Sequence, residues 1–441
     1  MSAVSRRAFL AGSAATVAAP AIAVSAIDPD FDVLIIGAGA AGIAAARRVA
    51  ATGLKHLVLE AGDRLGGRCF TDTQTFGVPY ERGARWIYTP ELNPLVKLAV
   101  KTGVNVESAP LGSGLRIGLR YAHPGETEEF LANLARYSRI ISSAASSADV
   151  SCAQALSKEL GGWRPTMEFV LGPFRCGESL NLVSALDFAN SAERISAASC
   201  PQGIEKLLGK LAVGLRMQFY SPVTRIQWDA APLRVETRSG VLTARAIILT
   251  ASTGVLGSGK INFQPNLPSR HAEAIGKLRL GSYEHVAFEF TKNPFGVKKD
   301  DLIFEKATGA RTAALIANVS GTRLCVVELA GKLGAGLAEE GAAAMTAFAM
   351  EWLEGLFGSK LKGLVVRTHA TRWSKEPWIL GASSFASPGG QWARKALAQP
   401  VGERLWFAGE AVHETLWGTV GGAWESGERA ADAAIKRLAN R

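Results

Sequence analysis

The chain has 441 residues, 48% hydrophobic and 20% charged, with a formal net charge of +10. That is enough for two domains or one large one around a full apolar core. The basic residues are scattered, which argues against nucleic-acid binding. After the N-terminus no stretch reaches the roughly 18 to 20 uninterrupted apolar residues of a membrane span. Cysteines 69, 152, 176, 200 and 325 form no CxxC pair and no zinc spacing, so neither a disulfide framework nor a metal site is expected.

The N-terminal stretch "SRRAFLAGSAATVAAPAIAVSA" holds the pair Arg6 and Arg7, an Ala-rich and weakly apolar run, and small residues in an A-x-A arrangement. It reads as a twin-arginine export signal over 1–26. That route carries proteins already folded. The mature chain is therefore expected in the periplasm or outside the cell, delivered by the twin-arginine translocase and with no membrane span.

"FDVLIIGAGAAGIAAARRVAATGLKHLVLEAGDRLGGRCF" (31–70) carries the strongest signal. An apolar strand runs into Gly37, Gly39 and Gly42, spaced GxGxxG, then into a helix and a second strand that ends at Glu60. Gly37 permits the tight turn, Gly39 lets a pyrophosphate approach the backbone, and Gly42 lets the helix pack closely on the strand. The helix N-terminus offers positive potential to phosphates. Glu60 suits a ribose with a free 2′-hydroxyl, which leaves NAD or FAD.

The continuation "EAGDRLGGR" makes the chain resemble the flavin-containing amine oxidase family, which includes monoamine oxidases, polyamine oxidases and histone demethylases of one fold. The resemblance recurs in order over about residues 31 to 441. It implies that Gly37, Gly39, Ala40, Ala41, Gly42, Glu60, Ala61, Gly66, Gly67 and Arg68 bind FAD. Further contacts are implied for Gly83, Ala84, Arg85 and Trp86 of "ERGARWIYTPELNPL", Val223 of "YSPVTRIQWD" and Ala251 of "ARAIILTASTGVL". Trp373 of "RWSKEPWILGASSFASPGG" and Gly409, Glu410, Thr419 and Val420 of "RLWFAGEAVHETLWGTVGGAWESGERAA" complete the set. "CPQGIEKLLGKLA" resembles a family helix with Gln202 in place of its first Gly, and Gly62 stands where relatives often have Arg.

The implied fold is α/β, a Rossmann-like FAD-binding domain (31–86, 201–256 and 371–441) interrupted by a mixed α+β substrate domain (87–200 and 257–370). The first insert is richer in helical pattern. The second should form strands near 282–290, 302–305, 311–318 and 323–329, then a helix over 340–356. "TKNPFGVKKDDL" (291–302) reads as a charged, solvated connection with no function.

Three departures from the family bear on chemistry. In "GSYEHVAFEF" the position of the usual lysine beside flavin N5 falls on His285. Strand alternation sets it opposite the Val286, Phe288 and Phe290 row, and an imidazole can hold a water or take a proton near neutral pH. The two rings that enclose an amine in monoamine oxidases match Ser383 and Thr419, leaving Trp417 and Trp378 as candidates for one wall. The cysteine that attaches FAD in covalent members matches Ala382, so the FAD should be non-covalent. Arg85 is a candidate for a carboxylate or the flavin, and Glu178 and Asp187 for attracting a polyamine, although isolated charges are more often solvated.

The expected function is oxidation of a C–N bond in an amine or amino acid by hydride transfer to flavin N5. The imine would then be hydrolysed, and electrons would pass to oxygen or a redox partner. Two alternatives stay open: a flavoenzyme of this fold acting on a C–C bond, and an FAD-bound protein without turnover that serves as a binding or assembly partner.

Overall fold

In the computed structural model residues 28–109, 114–144, 149–156, 161–194 and 196–440 are described; the expected export signal lies outside them. The first apolar run forms the strand Phe31–Ile36, and the Ala-rich stretch beyond the glycines forms the helix Ala40–Ala50. Gly37 sits at φ +104°, and a Cβ on Gly42 would lie 1.8 Å from the Gly37 carbonyl oxygen. Only glycine lets the helix leave the strand so sharply.

Phe31–Ile36 pairs in parallel with His56–Leu59 on one side and Gly240–Leu249 on the other. Among the described residues eight strands make this sheet. Met217–Gln218 extends it past His56–Leu59, while Leu233–Thr237, Val223–Gln227 and Asn262–Gln264 extend it past Gly240–Leu249. Leu405–Phe407 joins in parallel beside the last residues of Gly240–Leu249. Both faces are covered, as a continuous apolar strand requires. Leu34 and Ile36 share one core with Leu249 and Phe407, whereas Val33 and Ile35 share another with Ala45 of the first helix and Ala431 of the helix Val420–Ala439. The architecture is a doubly covered α/β sheet of the kind that binds dinucleotides.

A second sheet of seven described strands runs in the order Val365–Ala370, Tyr283–Phe290, Leu324–Ala330, Ala314–Ala317, Asp301–Glu305, Gly114–Ile117 and Arg120–Tyr121. Alternation divides Tyr283–Phe290 between two environments. Val286, Phe288 and Phe290 pack with Phe348 and Leu353 of the helix Ala342–Phe357, and Ala287 belongs to a different core. The helix expected over 340–356 starts only at Ala342, because Gly341 (φ +110°) separates it from a further helix, Gly331–Glu340, which the sequence pattern did not indicate. Helices Pro124–Ala144, Arg164–Phe169 and Ala185–Asn190 cover this region from the first insert.

The 291–302 segment departs from its expected role as a solvated connection. Phe295 and Asp300 are buried, and Asp300 forms an ion pair with Arg85. An apolar ring among the lysines was the available sign that this loop folds inward. Among the described residues no helix is long and apolar enough to cross a membrane, and no cluster of ligating side chains could hold a metal.

Candidate active site

One cavity of about 380 Å³ runs from the first sheet to the second, within the range of ligand pockets. At the first-sheet end its walls are largely backbone. The helix Ala40–Ala50 opens on Gly39 with no side-chain cap and no acid in its first turn, so its N-terminal amides point into the cavity uncompensated. Such a terminus is a ready seat for a diphosphate. Glu60 is fixed by the backbone amides of Ala38 and Gly62, which donate to its two carboxylate oxygens at 2.7 Å each. Further in, Arg68 bridges Glu410 at 2.8 Å and the carbonyl of Ala382. Burial opposes the charge on Glu410, yet Arg68, Ser384 and Arg394 together hold its pKa below the usual carboxylate value.

At the second-sheet end the walls are side chains set by strand register. His285 lies directly across from Glu328 in the antiparallel pair of Tyr283–Phe290 and Leu324–Ala330. Residues opposite each other in a ladder share a face, so both point into the cavity, with Nε2 of His285 3.9 Å from a Glu328 oxygen. The Tyr283 hydroxyl donates to the other Glu328 oxygen. Nδ1 of His285 lies 3.1 Å from the Glu81 carbonyl, a contact that assigns the proton to Nδ1 and leaves the Nε2 lone pair facing Glu328. Burial pushes the His285 pKa down to about 4, against the Glu81 contact and with help from Arg85 and His369. Burial pushes Glu328 up to about 7, opposed by Tyr283 and Arg85. A neutral imidazole thus faces a carboxyl that titrates near neutrality.

The buried Glu284, on the strand's other face, accepts from Thr371 Oγ1 at 2.8 Å and from the Trp373 amide at 2.9 Å. Thr371 Oγ1 in turn accepts from the His285 amide at 2.8 Å. One carboxylate therefore orients both the histidine strand and the Trp373 segment, whose indole reaches the Arg82 carbonyl at 2.8 Å and lines the cavity.

Comparison with known proteins shows the family of the chain. A family model described as flavin containing amine oxidoreductase matches residues 40–435. The chain belongs to this family. It is 28% identical over 434 residues to human Lysine-specific histone demethylase 2, covering 90% of this chain and 53% of that one. It is also 28% identical to Polyamine oxidase 2 of Arabidopsis thaliana, over 93% of this chain and 89% of that one. The chain thus spans about half the length of the histone demethylases it matches. Among solved structures, a triple mutant of Putrescine Oxidase superposes with a TM-score of 0.78 at 21% identity, over 92% of this chain and 99% of that one. Cyclohexylamine Oxidase from Brevibacterium oxydans does so with a TM-score of 0.76 at 22% identity, over 93% and 100%. These last two likenesses establish the fold.

FAD is the cofactor of this family, and the glycine turn, the open helix terminus and Glu60 fit it. Gly37, Gly39, Ala40, Ala41, Glu60, Ala61, Gly66, Gly67, Arg68, Gly83, Ala84, Arg85, Trp86, Val223, Ala251, Trp373, Gly409, Glu410, Thr419 and Val420 all line the cavity, as do His285 and Ser383. Gly42 does not; it acts behind the wall, in the close packing of helix on strand. Ala382 lines the wall without a thiol, and the neighbouring Cys69 has its thiol pushed up to about 12 by burial, so it stays protonated.

Four sequence-based expectations change. Trp417 is fully buried in the core and lies outside the cavity wall, its ring flanked by the guanidinium groups of Arg194 and Arg394. Trp378 lines the cofactor end instead of a substrate wall. Its segment is pinned there by Ser252, whose hydroxyl donates to the Ile379 carbonyl at 2.6 Å, and Lys260 sits over its ring. Asp187 is no surface lure for polyamines but a fully buried partner of Arg394, bonded at 2.7 and 2.8 Å. His285 does not titrate near neutral pH, because desolvation favours the uncharged ring. Glu328, Tyr283, Tyr88, Phe174, Arg175 and Arg194 also line the cavity and were missed. The one sign of Glu328 was a lone acid inside the apolar run "LCVVELA".

Proposed function

We propose that the enzyme oxidises the C–N bond of an amine held where His285, Glu328 and Tyr283 meet. The observation that carries this is the buried His285–Glu328 pair, aligned by strand register and open to the cavity. In the overall reaction the substrate carbon gives up a hydride and the nitrogen a proton; water then splits the imine into a carbonyl compound and an amine or ammonia. FAD, when bound, supplies the hydride acceptor at N5 and passes the electron pair to oxygen or a redox partner.

The amine must be neutral for this chemistry. Glu328, with its pKa near 7, is matched to take the proton, and Tyr283 stabilises the resulting carboxylate. His285, fixed by Glu81, keeps an uncharged acceptor nitrogen facing the site, suited to holding a water. Burial of the whole group excludes bulk solvent. The twin arginines near the N-terminus support export after folding, and fractionation of cells carrying Arg6→Lys with Arg7→Lys tests it: retention in the cytoplasm is expected.

The deciding experiment mixes flavin-loaded protein anaerobically with panels of amines, amino acids and polyenes. Bleaching of the flavin by an amine is the expected result. Bleaching by a non-amine alone moves the assignment to C–C chemistry, and no bleaching at all to a binding role without turnover.

A further inference from the structure

We infer that the amine substrate carries a carboxylate, and that Arg175 and Arg194 receive it. The inference rests on the amine reading above and narrows it.

Both arginines line the same cavity as His285 and Glu328. Arg175 follows a π-helical turn, Val170–Phe174, whose continuation docks on the start of the His285 strand. The Ser282 amide donates to the Gly177 carbonyl at 2.9 Å, and a Cβ on Gly281 would lie 2.5 Å from that oxygen. Glycine at 281 therefore permits the contact that delivers Phe174 and Arg175 into the cavity, with the Phe174 ring 6.0 Å from that of Tyr283. A π-turn at such a point is a frequent mark of a functional site.

Among the described residues the partners of the two guanidinium groups are all neutral. Arg194 donates to the carbonyls of Arg175 at 3.1 Å and Trp417 at 2.7 Å, and lies over the Tyr88 ring. Arg175 donates to Ser191 Oγ at 2.7 Å and lies over Phe188, while its buried Nε has no hydrogen-bond partner among the described residues. Among the described residues neither meets a carboxylate, whereas Arg68, Arg85 and Arg394 each do. Burial and then the repulsion of Arg194 lower the Arg175 pKa. Two cations held together in a sheltered wall are costly unless an anion joins them.

Their place in the cavity selects which anion. A Cβ on Gly418 would lie 3.2 Å from Arg194 Nη2 and 3.2 Å from Ser383 Cβ, so the guanidinium stands beside Ser383 and Thr419. Family resemblance puts the rings that enclose a bare amine at those two positions. A guanidinium there repels an ammonium group and accepts a carboxylate in charge-assisted hydrogen bonds. The diphosphate seat on Gly39 to Ala41 shares no residue with this pair. The cavity is thus polarised, with Glu328 for the amino group at one pole and the two arginines at the other.

The test compares hexylamine, hexanediamine, norleucine and ε-aminohexanoate as reductants of the flavin-loaded enzyme under anaerobic conditions. At least one of the two amino acids should exceed both plain amines by ~10-fold or more in the ratio of reduction rate to Kd. Arg175→Met and Arg194→Met should bring that preference within ~2-fold, mainly through Kd, and Arg194→Lys should keep part of it. Plain amines that react as well as the amino acids overturn the inference and leave the amine reading standing. If no amine of any kind reduces the flavin, the amine reading fails, and titration with hexanoate decides the anion site. A saturable shift of the flavin spectrum that Arg175→Met weakens supports the site, and no shift overturns it. If the methionine variants lose flavin, hexanoate is instead set against the best substrate of the unmodified enzyme: competition supports the site, and its absence overturns it.

Discussion

At the end of the cavity that faces Phe31–Ile36, the wall is a glycine turn, a helix terminus and one acid fixed by backbone amides. At the other end, Tyr283, His285, Glu328, Arg175 and Arg194 come from four separate stretches of chain and act through their side chains. The first end recognises a cofactor whose diphosphate and ribose suit backbone groups, which mutation can change only by altering the fold. On the reading proposed above the second fits a substrate, and it can vary residue by residue. One cavity therefore joins a part set by backbone geometry to a part set by charge.

Substitutions that sharpen this contrast should fall in a definite order. Gly42→Val should be the most severe, because its Cβ would sit 1.8 Å from the Gly37 oxygen. Purified protein, if any is soluble, should hold less than ~10% of its flavin, since the helix can no longer meet the strand; full flavin occupancy would break the backbone account of that end.

Asp187→Asn comes next. It leaves Arg394 buried without its charge partner, at a cost of about 3–5 kcal/mol, and Arg394 in turn donates to Ser384 Oγ and to the Ala411 carbonyl near Glu410. Denaturant unfolding of the flavin-loaded protein measures it, and a loss under ~1 kcal/mol would show that the pair is not a structural joint.

The third test acts on chemistry alone. Glu328→Gln should slow flavin reduction by about 10²-fold while flavin content stays unchanged. The carboxyl of Glu328 is protonated below about 7 and ionised above it, so reduction in the unmodified enzyme should rise with pH through that value. The rise should vanish in the variant. His285→Ala should slow one half-reaction by at least ~10-fold without removing the rise, because the ring, with its pKa near 4, is already neutral there. Loss of the rise in His285→Ala would move the proton acceptor from the acid to the histidine.

Glu178→Gln should do least. Its carboxylate accepts from the adjacent Ser179 amide at 2.7 Å and does not line the cavity. Its kcat/KM should stay within ~2-fold of the unmodified enzyme, and a larger fall would put an acid at the substrate end that the geometry does not show.

The glycine turn and Glu60 of the cofactor end were legible because they sit close together in the chain and their roles follow from backbone sterics. Gly37, Gly39 and Gly42 specify a turn wherever they occur between a strand and a helix. The substrate end was legible only at His285, which strand alternation placed on the correct face. Glu328 lies 43 residues further along (328 minus 285), and only strand pairing brings the two opposite each other. Arg175 depended on a π-turn and on the approach of Gly177 to Gly281, and Asp300 on a loop whose single Phe295 draws it inward. Trp417 and Trp378 were misplaced for the related reason that nearness in sequence does not fix the side of a wall.

By itself the sequence determined the FAD-binding turn, which follows from local spacing and backbone conformation, and it carries the motifs through which the chain resembles its family. Tertiary structure alone decided the charge states that matter. Burial, a property of the assembled fold, keeps His285 neutral and lifts Glu328 towards neutrality. Packing also sets Arg175 and Arg194 side by side in the cavity wall, where among the described residues neither meets a carboxylate.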